Sequence, residues 1–155
     1  DLDVAGEIEK VRSFYEVTAE EAGVVLTAVV PPGLRAQAAP ALLQRALANL
    51  VSNALDHTPR GGHITACAGQ GEEGGWIELA DTGCGITPEH QPYVFDRFYR
   101  VEGDRSSRNG HVGLGLSIVG SVARMHGGRV TLESEPGKGT KVRLELRNPS
   151  LPGTS

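Results

Sequence analysis

The chain has 155 residues, a formal net charge of -4, 39% hydrophobic and 5% aromatic residues, and 21 glycines. That length suits one domain around one core, and the acidic balance argues against bulk attraction to nucleic acid or anionic lipid. No stretch reaches the roughly 20 apolar residues of a membrane helix, and no secretory signal opens the chain, which begins at Asp1 without an initiator Met, as a segment of something longer would.

Val4, Ile8, Val11, Tyr15 and Ala22 recur on one helical face, which predicts an amphipathic helix over 2–22, stopped by Gly23. Residues 24–30 form a β-branched run that reads as a strand, and Pro31-Pro32-Gly33 turns the chain. Pro40 starts a second helix whose apolar face carries Leu42, Leu43, Ala46, Leu47, Leu50, Val51 and Ala54; Thr58-Pro59 and Gly61-Gly62 end it. Residues 63–68 and 76–80 read as two strands, and 88–95 as a short helix. Residues 96–112 are polar, rich in Arg and Ser and without period, so a mobile loop is expected. A third helix spans 113–126 and is capped by Gly127-Gly128. Residues 129–133 and 140–146 form a hairpin around Pro136-Gly137-Lys138-Gly139, and 148–155 read as a disordered tail. Strands and helices mix without βαβ alternation, so a domain over 1–147 is expected to be an α/β (α+β) two-layer sandwich with helices on one face of a mixed sheet. Cys67 and Cys84 lie in unrelated contexts and suggest reduced thiols rather than a disulfide framework.

Three constellations carry chemistry. Asn49 and Asn53 lie four apart on the second helix and so face the same way; Asp56 and His57 extend the stripe by a turn. Amide oxygens are hard, neutral ligands suited to Mg²⁺, although a solvated helix face is the plainer alternative. Asp81-Thr82-Gly83-Cys84-Gly85-Ile86 follows a strand; its carboxylate can accept a hydrogen bond from an exocyclic amine such as that of adenine, and the glycines let backbone pass a flat ring. A simple β-turn remains the alternative there. Gly110-His111-Val112-Gly113-Leu114-Gly115-Leu116 opens the third helix, where free N–H groups and the dipole attract anions; a flexible helix entry is the alternative. The spacing fits neither a dinucleotide fingerprint nor a P-loop. Between them, Phe95-Asp96-Arg97-Phe98-Tyr99-Arg100 interleaves aromatics with Arg, and Arg105 and Arg108 add positive charge, a composition that anchors a loop and reaches phosphate or else forms a satellite apolar cluster. The five histidines show no ligand spacing with the cysteines, and no G-x-S-x-G elbow occurs.

The order Asn49/Asn53, Asp81/Gly83/Gly85, Phe95/Phe98, Gly113/Gly115, Gly137-Lys138-Gly139-Thr140 resembles the ordered boxes of the sensor histidine kinase catalytic domain, over nearly the whole chain. That family shares its ATPase superfamily with DNA gyrase, a heat-shock chaperone and a mismatch-repair protein. "NLVSNALDHTP", "FDRFYR" and "GLGLSIVGSVARMHGG" look most like the heavy-metal (copper, silver, cadmium-zinc-cobalt) sensor kinases. The resemblance implies a Bergerat-type ATP-binding fold, with three helices covering a mixed sheet of about five strands. It implies ATP and Mg²⁺ as cofactors, with Asn53 on the metal, Asn49 beside the phosphates, and Asn49, Asn53 and Arg100 as the catalytic set. Asp81 would take the adenine amine, helped through water by Thr140. Gly83, Gly85 and Ile86 would shape the adenine wall, and His57 and Tyr99 would lie near the nucleotide. Backbone N–H groups of Gly113, Leu114, Gly115 and Leu116 would cradle phosphate.

Two departures stand out: Asp56 replaces a common Lys or Arg, and His111-Val112 precede Gly113 where a further glycine is usual. The chain has no His-Glu-x-x-Pro acceptor helix, so the resemblance places the phosphoacceptor and dimerisation domain upstream of Asp1. It also implies a cognate response regulator and a homodimeric, membrane-anchored full-length protein whose cytoplasmic part includes this segment. On this reading the segment itself neither binds membrane or nucleic acid nor autophosphorylates alone. An ATPase of the gyrase type would carry a Glu where Asn49 stands; an anti-sigma-factor-type serine kinase and a non-catalytic nucleotide sensor are the other readings.

Overall fold

A computed structural model of the chain describes residues 2–72, 74–95 and 115–147. The elements run β1 (Leu2–Asp3), α1 (Val4–Ala22), β2 (Val25–Val29), β3 (Arg35–Ala36), α2 (Pro40–His57), β4 (His63–Gln70), β5 (Gly75–Asp81), a 3₁₀ turn (Gln91–Tyr93), α3 (Gly115–Met125), β6 (Arg129–Glu135) and β7 (Gly139–Glu145). Five strands form one sheet in the order β2-β4-β5-β7-β6, in which only the β2–β4 pair is parallel.

The alternation of each strand explains the two layers. Ile64, Ala66 and Ala68 of β4, Ile77 and Leu79 of β5, and Val142 and Leu144 of β7 are buried at every second position. They meet Leu43, Ala46, Leu47, Leu50, Val51 and Ala54 of α2, Val4, Ile8 and Val11 of α1, and Leu116, Val119, Val122 and Ala123 of α3 in one core. The opposite face is mixed: Glu78, Lys141 and Arg143 lie there, and so do the exposed Val25 and Val29 of β2. There the Arg143 guanidinium lies 4.1 Å above the Trp76 ring centroid and 3.0 Å from a Glu78 oxygen.

Several expectations shift. The first helix begins at Val4, because Leu2–Asp3 pairs with Arg35–Ala36 and the Val4 N–H bonds the Leu34 carbonyl at 3.0 Å. The short helix expected over 88–95 is only a 3₁₀ turn, since Pro92 has no N–H with which to continue an α-helical ladder. β5 extends to Asp81, which pairs with Ile64 and Thr140 and therefore lies in the sheet rather than in the loop after it. The expected mobile loop over 96–112 and the tail over 148–155 lie outside the described residues. Among the described residues no helix is long and apolar enough to cross a membrane.

Two contacts fix how the helices sit. Gln44 of α2 donates to the Glu7 carboxylate at 2.8 Å and to the Glu7 carbonyl at 3.0 Å, clasping α2 to α1. At the start of α2, Ala39 offers no side-chain cap; its N–H instead donates to His126 Nε2, 3.0 Å away at the end of α3. His126 Nδ1 donates in turn to the Val122 carbonyl at 2.8 Å, so the ring is oriented from both sides. α2 is thus held by α1 on one flank and by α3 at its start.

Candidate functional site

The apolar rows of three neighbouring strands each end in a polar residue at the same level. Ile77 and Leu79 lead to Asp81, Val142 and Leu144 lead back to Thr140, and Val130 and Leu132 lead to Ser134. The register places Asp81 opposite Thr140 and Thr140 opposite Ser134, so all three side chains project to the helix-covered face. Ile64, on the other side of Asp81, is fully buried. The result is a polar strip at one end of a dry core.

Asp81 is held from two directions. Its Oδ1 accepts the Gly83 N–H at 2.8 Å, and its carboxylate also accepts the Thr140 N–H. Burial raises its pKa above the ordinary 3.8, while these two N–H bonds and the nearby His57 oppose the rise. The residues after it fold back onto their neighbours. Cys84 N–H donates to the His57 carbonyl at 3.2 Å, Gly137 N–H to the Cys84 carbonyl at 2.7 Å, and Ile86 N–H to Ser134 Oγ at 2.7 Å. Gln91 Nε2 bonds the Ile86 carbonyl at 2.8 Å and the Ser134 carbonyl at 3.0 Å. The 81–86 segment is therefore pinned between the end of α2 and the β6–β7 hairpin.

That pinning explains the glycines. A Cβ on Gly83 would run into the His57 carbonyl and lie 2.9 Å from Asp81 Oδ1. Gly85 has φ 75°, and a Cβ there would strike the Glu135 carbonyl. Both positions are demanded by backbone packed on backbone within the protein, a closer constraint than the passage of a ring expected from the sequence.

On α2, Asn49 and Asn53 lie one turn apart and are half-buried. Asn49 Nδ2 donates to the Arg45 carbonyl at 2.9 Å, and its Oδ1 can only accept. His57 Nδ1 donates to the Asn53 carbonyl at 2.8 Å, holding the ring near Asp81. Asp56 acts elsewhere. Together with burial, its charge raises the pKa of Tyr15 on α1, against a hydrogen bond from Ser52 that lowers it. Within this stripe, the Asp56 charge acts on Tyr15 of α1 and His57 acts on Asp81.

Of the residues singled out from sequence, His57, Asp81, Gly83, Gly85, Ile86 and Thr140 come together at this corner, and Asn49 and Asn53 lie on the helix that ends there. Gly115 opens the described part of α3, and the Leu116 side chain is buried in the core. Tyr99, Arg100, Arg105, Arg108, His111, Gly113 and Leu114 lie outside the described residues. Ser134 and Gln91 join the corner without having been foreseen. The signal for Ser134 was the alternation Val130, Leu132, Ser134 beside its hairpin partners Val142 and Thr140.

Among the described residues no three His, Cys, Asp or Glu side chains cluster as a metal site. An ion at the Asn49/Asn53 face would take most of its ligands from water and a bound anion, which suits Mg²⁺ and does not suit a caged transition metal.

Known proteins share this family and fold. A family model described as histidine kinase-, DNA gyrase B-, and HSP90-like ATPase matches residues 38–150. Sensor protein IrlS of Burkholderia pseudomallei is 43% identical over 135 residues, 87% of this chain and 29% of its own. Sensor histidine kinase CusS of Escherichia coli is 40% identical over 147 residues, 94% of this chain and 30% of its own. The chain thus spans about a third of the length of these relatives. Full-length ShkA, solved in complex with AMPPNP, superposes with a TM-score of 0.80 at 25% identity, covering 98% of this chain and 32% of that one. The fold is the Bergerat-type sandwich that the ordered motifs implied.

Proposed function

The chain belongs to the histidine kinase-, DNA gyrase B-, and HSP90-like ATPase family, and we propose that it binds Mg-ATP and donates the γ-phosphoryl group to a histidine on a dimerisation domain of the full-length protein. The observation that carries this reading is the Asp81 corner: a largely buried carboxylate, fixed by two N–H donors, at the open end of an apolar row and beside the helix bearing Asn49 and Asn53. A flat, amine-bearing base fits that corner, and the phosphates then run toward α2 and the start of α3.

Each residue takes a role in this scheme. Asp81 accepts the base amine, with Thr140 beside it. Gly83, Gly85 and Ile86 form the wall, and His57 and Tyr99 flank the nucleotide. Asn53 would hold Mg²⁺ through its amide oxygen, and Asn49 would sit beside the phosphates; the ion would neutralise phosphate charge during transfer. Arg100 reaches the phosphates, and the N–H groups of Gly113, Leu114, Gly115 and Leu116 cradle them. Phosphoryl transfer depends mainly on positioning and charge neutralisation, so the site needs no nucleophile of its own. Asn49 stands one turn before Asn53, where an amide cannot deprotonate water, so hydrolysis is disfavoured relative to transfer.

The whole protein is then a membrane-anchored, homodimeric sensor whose cytoplasmic part includes this domain and which passes phosphate on to a response regulator. The heavy-metal reading rests on the wording of "NLVSNALDHTP", "FDRFYR" and "GLGLSIVGSVARMHGG". Phosphorylation of the full-length protein in vesicles, assayed with copper, silver, cadmium, zinc and cobalt in turn, tests it; indifference to all five refutes it.

The central test mixes this chain, a separately produced dimerisation domain and Mg-ATP. The expected product is acid-labile phosphate on a histidine. Acid-stable phosphate on serine would point to a serine kinase. Nucleotide binding with no transfer would favour a non-catalytic sensor, the reading that the Asp56 and His111 departures motivate. Steady turnover by the chain alone would favour an ATPase.

A further inference from the structure

Three contacts meet at one hydroxyl on β6. The Ile86 N–H lies 2.7 Å from Ser134 Oγ, the Gly139 carbonyl 3.0 Å, and Thr140 Oγ1 2.8 Å. Ser134 has a single proton. The Ile86 amide can only donate and the Gly139 carbonyl can only accept, so Ser134 gives its proton to Gly139 and receives the one from Ile86. The third contact is then satisfied in one way: the Thr140 hydroxyl donates to Ser134. Thr140 has no second proton, so toward a ligand its oxygen can only accept.

The partner of Thr140 across the ladder is Asp81, whose carboxylate also only accepts once ionised. Two acceptors thus stand side by side on one face of the sheet, and the polarity of one of them is set by a residue a strand further away. We infer that Ser134 is a specificity-determining positioning residue: by taking the Thr140 proton it makes the Asp81–Thr140 corner favour an amino group and reject a carbonyl at the same place, which selects a 6-aminopurine over a 6-oxopurine. This inference rests on the nucleotide-binding role proposed above. The same hydroxyl ties the 81–86 segment to the hairpin through Ile86 and Gly139, and Gln91 closes that tie from the other side.

Removing the Ser134 hydroxyl frees the Thr140 proton. Thr140 can then turn and donate to a carbonyl, and discrimination between the two base classes should shrink. The experiment measures dissociation constants of the Mg²⁺ complexes of non-hydrolysable ATP and ITP analogues by calorimetry, for wild type, Ser134→Ala, Ser134→Thr and Asp81→Asn. The expected ITP-to-ATP ratio falls about tenfold in Ser134→Ala, the scale of one hydrogen bond, and is kept in Ser134→Thr, which restores the hydroxyl. Ser134→Cys, near-isosteric and a weak acceptor, should move the ratio the same way if the Ala variant does not fold. A ratio unchanged in both the Ala and Cys variants, with both affinities falling together, would mean a merely structural Ser134 and overturn the inference. If the wild-type preference disappears in Asp81→Asn but survives in Ser134→Ala, the base corner stands and only Ser134 is wrongly assigned. A wild type that binds both analogues equally, or neither, overturns the inference together with the corner it rests on.

Discussion

At Asp81, burial and hydrogen bonding pull in opposite directions, and burial wins: the carboxyl pKa stands above 3.8 despite two N–H donors and the nearby His57. Nucleotide binding needs the ionised acceptor, so affinity should weaken on acidification, beginning at a higher pH than an ordinary aspartate would give. Asp81→Asn should lose at least about tenfold in affinity, because an amide turns part of the acceptor into a donor, and what remains should be flat with pH. Calorimetric titrations of both proteins across the mildly acidic range check this. Folding responds with the opposite sign. The folded state keeps the Asp81 proton to a higher pH than the unfolded chain, so this group favours folding most in acid and loses that contribution as pH rises through its folded pKa. Gly83 gives a second prediction at this scale. Its missing Cβ is required by the His57 carbonyl and Asp81 Oδ1, neither of which can yield cheaply. Gly83→Ala should cost about 1–3 kcal/mol in urea unfolding and weaken nucleotide binding as Asp81 moves. Gly137→Ala meets nothing within 4 Å but has φ 79°, so it should cost ~1–2 kcal/mol of backbone strain and leave affinity unchanged.

Among the elements, the clasp between α1 and α2 is the contact most exposed to a single change. Glu7 is the one charged residue among the buried described residues, 8% exposed, and its carboxylate is held by Gln44 and by Lys10 at 3.0 Å. The Gln44 bond comes first among the causes that lower its pKa from 4.5, followed by Lys10. A depressed carboxyl pKa stabilises the fold above the unfolded value and loses that contribution as pH falls through the folded one. Gln44→Leu should therefore cost about 1–3 kcal/mol at neutral pH and make unfolding less sensitive to acid, as measured by urea melts at neutral and acidic pH. Much at this scale was legible in the sequence. The helices declared themselves through apolar residues three and four apart, and the strands through β-branched alternation, to within a residue or two at most ends. The β1–β3 pair was not legible, because a ladder two residues long has no period. The helix expected over 88–95 is a 3₁₀ turn because Pro92 forbids an α-helical ladder there. Asp81, Gly83 and Gly85 could be found as a cluster, whereas Ser134 showed only as the polar end of the Val130, Leu132 alternation, since its role arises from a contact across 48 residues with Ile86.

For the whole molecule, the family match and the folded unit do not share a boundary. The match covers 38–150, yet α1 and β2 precede it and complete the core. Val4, Ile8 and Val11 of α1 are 2%, 3% and 4% exposed. Ile8 and Val11, with Leu26 of β2, face Leu47, Leu50 and Val51 of α2 and Ala66, Ile77 and Leu79 of the sheet around a single small gap. Burying side chains of this size contributes about 1.5–3 kcal/mol each, so three of them rival the roughly 5–15 kcal/mol net stability of a whole domain. Removing β2 would also strip β4 of its parallel partner over Val25–Val29 and leave an unpaired edge beside exposed apolar surface. A protein consisting of residues 38–155 should therefore lose cooperative unfolding and bind a hydrophobic dye, although it retains every residue assigned to the nucleotide corner. Dye fluorescence, amide dispersion in a heteronuclear spectrum and nucleotide titration would separate the outcomes. A well-dispersed spectrum with full affinity would show that the corner is held by α2, α3 and the hairpin alone. Collapse of both would show that Asn49, Asn53 and Asp81 stay aligned only because α1, through Gln44 and the apolar row beneath it, keeps α2 pressed to the sheet.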